Sequence, residues 1–209
     1  MNGITLALGT MAGLAIVSTV RRGSAAHPTL NYDDLAEAFR LWAAEPSDAD
    51  PDDERPLRRW ARAHGVTTLG AGAQRAVFAV PAGALKIAFD RDGYSANRNE
   101  AEVWEGAPEA IRRHLVPILD DSGIEAGEGA WVLMERVRAT GKGRMDEATR
   151  RALNACGIQD LVTQNIADDG RLMDYGWLTR DLWAACTTQR GSASRQRVVQ
   201  FLPGRRIRE

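Results

Sequence analysis

Three polar residues near the C-terminal end of the sequence have the types and spacing of a divalent-metal site. Asp160, Asn165 and Asp174 lie around the Asp-Asp-Gly turn at residues 168–170, in the stretch DLVTQNIADDGRLMDYGW. We expect residues 166–173 to form a short β-hairpin that brings the three side chains to one end. Carboxylate and amide oxygens are hard ligands that suit a divalent cation. Asp and Asn are also common turn formers, so a purely structural role stays open.

A lysine in an apolar stretch is the second candidate for chemistry. Among 27 basic residues the lysines are Lys86 and Lys142, and all the others are arginines. Lys86 lies in the apolar run AGALKIAF, where an unpaired ammonium group would be costly to desolvate. Because a compact ammonium reaches a phosphate differently from a planar guanidinium, we expect Lys86 to contact phosphates. Glu100 or Glu102 on the following helix is expected to pair with it.

A glycine-rich turn precedes this lysine. The stretch LGAGAQRAV places Gly70 and Gly72 between two predicted strands, with Val77 in the second. Glycine lets backbone N–H groups approach a polyphosphate without a Cβ in the way. A hairpin also needs glycines for its own geometry, so the turn alone does not decide the question. The turn followed by a strand that carries Lys86 indicates a phosphate site.

Composition limits the class of protein. The chain has 209 residues, 44% of them hydrophobic and 26% charged, which predicts one domain with a real core. The net charge of −1 argues against a protein whose main ligand is a polyanion, so direct nucleic-acid binding is not expected. Cys156 and Cys186 have no CxxC spacing and no histidine cluster nearby, so we expect buried free thiols.

Hydrophobic periodicity predicts an α+β arrangement that would position the candidate residues. Asn31 is the expected cap of a first helix, and Asp146 lies near the start of a later one. The predicted helices cover residues 31–44, 57–65, 97–106, 146–156 and 178–186. Three strands are expected within residues 66–89, and a Gly-rich hairpin is expected to join two further strands at 115–123 and 131–137.

In the order of these motifs, the chain resembles the protein-kinase-like fold, which also includes small-molecule phosphotransferases such as the aminoglycoside phosphotransferases. The resemblance runs from Val66 to Gly176. It implies that Mg-ATP is the ligand and that the Gly-rich turn covers its phosphates. The implied nucleotide-binding residues are Gly70, Gly72 and Val77 in the turn, Lys86 with Glu100 as its helix-C partner, and hinge residues Met134, Glu135 and Val137 beside the adenine.

The same resemblance implies a catalytic role for the polar residues of the C-terminal stretch. Asp160 would accept the proton of the acceptor hydroxyl, while Asn165 and Asp174 would hold magnesium against the phosphates. Lys86 would bridge the phosphates in the same reaction. The nature of the acceptor does not follow from these residues.

Several features depart from the family pattern. Arg75 stands in place of the third glycine of the turn, where it is expected to contact a phosphate or cross the mouth of the cleft. Ile158 and Gln159 replace the usual pair before the catalytic Asp, and residues 177–209 are too few for the usual helical lobe. The expected fold is therefore α+β and kinase-like. It has an antiparallel-sheet N-lobe with a Gly-rich loop and one helix C, a much reduced helical C-lobe with a catalytic-loop β-hairpin, and an N-terminal apolar helix.

The N-terminal region predicts a membrane anchor. Residues 4–20 carry no charge and are followed by two arginines, which favours an outside N-terminus and a cytoplasmic domain at the inner membrane. A buried helix is the alternative. The predicted divisions are a possible anchor at 1–22, a helical extension with an acidic linker at 23–65, an N-lobe at 66–137, a reduced C-lobe at 138–188 and a basic tail at 189–209.

Three functions remain open at this point. The first is a minimal ATP-dependent phosphotransferase acting on an unknown phosphoacceptor. The second is a nucleotide-binding pseudokinase scaffold that presents surfaces to a protein partner without catalysis. The third is a membrane-anchored interaction protein with no nucleotide affinity. The intact set of Lys86, Asp160, Asn165 and Asp174 favours the first function.

Overall fold

Five antiparallel strands form the sheet that carries the Gly-rich turn and Lys86. The computed structural model of the chain describes residues 30–45, 53–127 and 129–188. The strand order is β1-β2-β3-β5-β4, and the protein has a mixed α+β fold. The strands are β1 Thr67–Ala71, β2 Arg75–Val80, β3 Gly83–Ala88, β4 Ile118–Asp120 and β5 Trp131–Met134.

Side-chain caps set where the longer helices begin. The side chain of Asn31 accepts a hydrogen bond from the Asp33 amide, as predicted, and Asp146 accepts from the Thr149 amide at 2.8 Å. The helices are α1 Tyr32–Ala43, α2 Arg55–Ala63, α3 Arg91–Gly106, α4 Glu109–Arg112, α5 Ser122–Gly127, α6 Glu147–Ala155 and α7 at 180–188, with a 3-10 turn at Thr163–Asn165.

Strand alternation gives the sheet two different faces, because successive side chains point to opposite sides. Phe78 and Leu85 are paired in register and fully buried on one face. Phe39 of α1 and Trp60 of α2 pack on that face, with ring centroids 5.3 and 5.4 Å from that of Phe78. The other face carries polar side chains and packs against helix α3.

Helix α3 packs on the second face. It begins several residues earlier than the predicted 97–106, because the Asp90 side chain accepts a hydrogen bond from the Gly93 amide at 2.7 Å and caps the helix. Asn97, Glu100 and Val103 are buried at a spacing of three residues, which places them on one side of the helix. This side faces the sheet and supplies the polar groups beneath Lys86.

The predicted Gly-rich hairpin between β4 and β5 is wrong, because helix α5 connects these strands. The carboxylate of Asp120 accepts a hydrogen bond from the Ser122 amide at 2.9 Å and starts the turn. A Cβ on Gly123 would overlap the indole ring of Trp131, so the glycine lets the helix pack closely on that ring. The strands still pair with each other in an antiparallel register.

The predicted hairpin at 166–173 is present only in reduced form. An isolated bridge joins Ile166 to Leu172, and Gly170 has a positive φ of 88° in the turn. The second arm also pairs elsewhere, since Leu172 donates to the carbonyl of His114 and accepts from the amide of Val116. This shared pairing explains why no regular strands form here.

A disulfide joins the end of α6 to α7. Cys156 and Cys186 are bonded, with their Cα atoms 5.1 Å apart, so the expectation of free thiols is wrong. α7 also contacts α3, since the indole N–H of Trp183 donates to the carboxylate of Glu102 at 3.1 Å. Between residues 138 and 188 the chain thus contains α6 and α7 around the hairpin, where the sequence predicted two helices at 146–156 and 178–186.

Some predictions lie outside the described residues. These are the apolar helix at 4–20, most of the acidic linker and the basic tail at 189–209. Within residues 30–45, 53–127 and 129–188, none of the helices is both long and apolar enough to cross a bilayer. Membrane anchoring and the cytoplasmic location stay predictions of the sequence.

Candidate functional site

A cavity of about 760 Å³ lies between the second face of the sheet and the hairpin. The Gly-rich turn (residues 70–74) and the strands beside it form one wall. Lys86 and Val77 are register partners on adjacent strands, so both point into the same space. The sequence-predicted residues on this wall are Gly70, Gly72, Val77 and Lys86.

The hinge (residues 134–137) and the C-terminal stretch complete the lining. Met134, Glu135 and Val137 lie along one edge, and Asn165 and Asp174 lie across from the Gly-rich turn. Residues that are far apart in the chain therefore meet around one space. Of the sequence-predicted residues, Glu100 and Asp160 do not line it: Glu100 lies buried behind Lys86, and Asp160 lies beyond Asn165.

Four charged side chains form a buried ion cluster at one end of the cavity. The Lys86 ammonium donates to the Glu100 carboxylate at 2.7 Å. Arg75 lies with Nη1 3.1 Å from the same Glu100 oxygen, and its Nη2 donates to Asp174 at 2.6 Å. Glu100 is therefore the partner of Lys86. Glu102, the alternative, faces α7 instead.

The pKa values in this cluster reflect burial and pairing together. Complete burial raises the pKa of Glu100, and the positive charges of Arg75 and Lys86 oppose that rise. Burial also favours the neutral form of Asp174, yet Lys86 and Arg75 outweigh it and hold its pKa well below the usual range. Asp174 is thus ionised and held by Arg75.

The chain around Asp174 is fixed from both sides. Lys86 also donates to the backbone carbonyl of Met173 at 2.8 Å. The next side chain, Tyr175, is fully buried and donates its hydroxyl proton to the Val116 carbonyl at 2.8 Å. Burial raises the pKa of Tyr175 well above its ordinary value, so the hydroxyl stays a donor. These bonds place the Asp174 carboxylate at the cavity.

Asp160 has an unusual backbone conformation. Its φ is +60°, and no other non-glycine residue among those described has a positive φ. The side-chain amide of Asn165 donates to the Asp160 carboxylate at 2.8 Å and to the Asp160 backbone carbonyl at 3.1 Å. Arg150 of α6 donates to the carbonyl of Leu161 and holds the loop from below. Asp160 is exposed and tied to a residue that lines the cavity.

The glycines of the turn are not required by packing. A Cβ on Gly70 or Gly72 would meet no atom of the protein within 4 Å. By contrast, a Cβ on Gly83 would overlap the Met134 carbonyl of the neighbouring strand. Gly70 and Gly72 also lack the positive φ that favours glycine elsewhere in the chain. Their small size leaves open space on the cavity side.

The chain matches no protein-family model, no curated protein and no solved structure. What the cavity binds must therefore be inferred from its own residues.

The contacts of Asn165 and Asp174 decide whether these two side chains could bind magnesium. Both line the cavity and both carry oxygen atoms of the kind magnesium prefers. The Asp174 charge is already matched by Arg75, which donates to one of its oxygens at 2.6 Å. The side-chain nitrogen of Asn165 donates to Asp160, and this bond does not involve the Asn165 oxygen. Within the described parts of the chain, no three His, Cys, Asp or Glu side chains gather as a metal site. As arranged, these residues do not fit a magnesium site.

Sequence reasoning missed two features of the site. Arg75 was expected at a phosphate or across the mouth, and its contact with Asp174 was not foreseen; its side chain is buried, lines the cavity and donates to Asp174. Asn97 was not singled out, yet it is fully buried and accepts a hydrogen bond from Arg75 at 3.2 Å. The signal for Arg75 was its place where the protein-kinase-like pattern that the sequence resembles has glycine. No sequence signal indicated Asn97.

Proposed function

We propose that this chain is a kinase-like ATP-binding domain, with the nucleotide in the cavity between the Gly-rich turn and the hairpin. One observation carries the proposal: Lys86 lines the cavity while Glu100, buried behind it, orients the ammonium at 2.7 Å. A lysine held in this way is typical of a phosphate site in which the ammonium must point outward to a ligand.

The apolar end of the cavity suits a purine ring. Val77, Ala84 and Met134 come from three adjacent strands and give a flat apolar wall, and Val116 also lines the cavity. Apolar walls with a few placed polar groups are typical of small-molecule sites. The hinge backbone runs along this end, which supports adenine as the ring that it recognises.

The polar end suits a polyphosphate. Lys86 and Arg75 line the cavity there and carry two positive charges. The open space beside Gly70 and Gly72 lets anionic oxygens come close to the backbone of the turn, where the Gly72 amide itself donates to the Arg75 carbonyl at 2.9 Å. The apolar and polar ends together favour a nucleoside triphosphate over a simple phosphate ester.

Phosphoryl transfer is the second candidate function, and the position of Asp160 favours it. Asp160 is exposed, and its carboxylate accepts a hydrogen bond at 2.8 Å from the side chain of Asn165, which lines the cavity. An acceptor hydroxyl would give its proton to Asp160 as its oxygen bonds to the γ-phosphorus. The bond from that phosphorus to the bridging oxygen would break, and ADP would leave.

The experiment that tests ATP binding is calorimetric titration of the full-length chain. The variants compared are Lys86→Met and, as a matched control, Lys142→Met, because Lys142 is exposed and does not line the cavity. We expect ATP binding by the wild type and Lys142→Met, and at least a tenfold loss in Lys86→Met. A folded wild-type protein with no heat at millimolar ATP would exclude the proposal.

Transfer is tested separately from binding. ATP turnover in wild type and in Asp160→Asn is compared at saturating ATP, with and without added acceptors. We expect turnover to fall at least a hundredfold in the variant while ATP affinity changes little, since Asp160 does not line the cavity. ATP binding without turnover would leave the non-catalytic scaffold as the function.

A further inference from the structure

A buried arginine holds the carboxylate that the sequence assigns to a metal. Arg75 donates to Asp174 at 2.6 Å and to Asn97 at 3.2 Å, and lies 3.1 Å from Glu100. Its side chain is 9% exposed, yet it also lines the cavity. The guanidinium is therefore placed where it can meet both Asp174 and a ligand in the cavity.

The charges of the buried ion cluster balance without a metal. Arg75 and Lys86 are positive, and Glu100 and Asp174 are negative. A divalent cation at Asp174 would either face the two fixed positive charges of Arg75 and Lys86 or displace Arg75 from its 2.6 Å contact with Asp174 Oδ1. An arginine that loses its buried partner is strongly unfavourable, because its desolvation is then uncompensated.

The fold builds a place for this arginine. Arg75 opens strand β2 opposite Ala88, so its side chain lies on the cavity face of the sheet. A Cβ on Gly93 of α3 would come 3.2 Å from the Arg75 side chain and would overlap the carbonyl of Gln74. The absence of a side chain on Gly93 thus leaves the slot in which Arg75 lies.

We propose that Arg75 takes the place of a divalent cation, so that the cavity binds a nucleoside triphosphate without magnesium. This inference rests on the proposed nucleotide function and specifies how the phosphates are held. The planar guanidinium can donate to two phosphate oxygens at once, which an ammonium cannot do. Lys86 supplies the second positive charge.

The test is calorimetric titration of ATP into the full-length chain, in EDTA and in magnesium. We expect dissociation constants within about threefold of each other, since the protein supplies the positive charge. Binding weaker by more than tenfold in EDTA would overturn the inference and leave ATP binding itself intact. Absence of binding in both buffers would overturn the proposed function as well. Magnesium titrated alone is expected to give no heat, and saturable binding would contradict the inference.

Asp174→Asn distinguishes magnesium from Arg75 as the positive charge that meets the phosphates. If Asp174 held magnesium, the substitution would abolish magnesium-dependent binding. In our scheme it removes a negative charge beside the phosphates and releases Arg75, so ATP affinity in EDTA should rise several-fold. Loss of affinity in EDTA by this variant would contradict the inference.

Arg75→Met removes the guanidinium directly. We expect at least a tenfold loss of ATP affinity in EDTA, with partial recovery when magnesium is added because Asp174 is then free. Arg58→Met is the matched control, since Arg58 forms an exposed ion pair with Glu54. Thermal unfolding checks that Arg75→Met folds. If that variant is unfolded, the ATP titration of Asp174→Asn tests the inference instead. Unchanged affinity in folded Arg75→Met would exclude a role for Arg75.

Discussion

Arg171 donates two hydrogen bonds to the carboxylate of Glu135, at 3.0 and 2.8 Å. Arg171 belongs to the hairpin and Glu135 to the hinge, so this ion pair joins two sides of the cavity. Arg171 also donates to Asp169 at 2.9 and 2.7 Å. The pair helps to hold the hairpin against the sheet.

Arg171→Met is expected to lower the free energy of unfolding by about 1 kcal/mol, because the pair is partly exposed and screened by solvent. It should also weaken ATP binding a few-fold, since the hinge would lose its fixed position. A double-mutant cycle with Glu135→Gln in urea denaturation measures the coupling energy. A coupling energy near zero would show that the pair does not contribute.

The same pair predicts a pH dependence of stability. The hydrogen bonds from Arg171 lower the pKa of Glu135 from its ordinary value of 4.5, while slight burial opposes them. The unfolded chain therefore binds this proton more readily, and stability rises with pH through this range. The contribution is present above about pH 4.5 and is lost as the pH falls through the folded-state pKa. Urea denaturation between pH 6 and 3 should give a shallower loss in Arg171→Met than in wild type.

Gly72 and Gly83 should respond differently to the same substitution. Gly72→Ala places a methyl group in open space, so stability should change by less than about 1 kcal/mol. ATP affinity should nevertheless fall several-fold, since the methyl group projects where phosphates would lie. Gly83→Ala overlaps the Met134 carbonyl and should cost about 1–3 kcal/mol. Thermal unfolding and ATP titration of both variants separate the two effects, and equal losses of stability would contradict this account.

Reduction of the disulfide is expected to lower the stability of the fold, although neither cysteine lines the cavity. Closing a loop between Cys156 and Cys186 constrains the unfolded chain and stabilises the fold by about 2–4 kcal/mol. The melting temperature should therefore fall by roughly 5–15 °C in reductant. Cys156→Ala and Cys186→Ala should each show the same loss, with no further effect of reductant. Equal melting temperatures in both conditions would contradict the prediction.

Local patterns in the sequence predicted much of the sheet. The apolar runs of β2 and β3 and the caps at Asn31 and Asp146 depend on neighbouring residues, so they can be read directly from the chain. Helix α5 was missed because its start depends on the Asp120 side chain and its packing on Trp131. A Gly-rich polar stretch between two strands predicts a hairpin unless those contacts are known.

Long-range contacts could not be predicted in the same way. Arg75 and Asp174 are separated by 99 positions, and their pairing depends on how the hairpin returns to the sheet. The cysteine pair likewise depends on α7 meeting α6, which no spacing rule specifies. The choice of Glu100 over Glu102 depends on the rotation of α3, because Glu102 is turned towards Trp183.

The disulfide between Cys156 and Cys186 makes a covalent ring of the chain around residues 157–185. Asp160, Asn165 and Asp174 all lie inside that ring. A single backbone cut within it, for example in the turn at 168–170, would leave both fragments attached through sulfur. The nicked protein would migrate as one species until reductant is added. Asn165 and Asp174, which line the cavity, are thus carried by a loop whose backbone can be cut once without releasing either fragment.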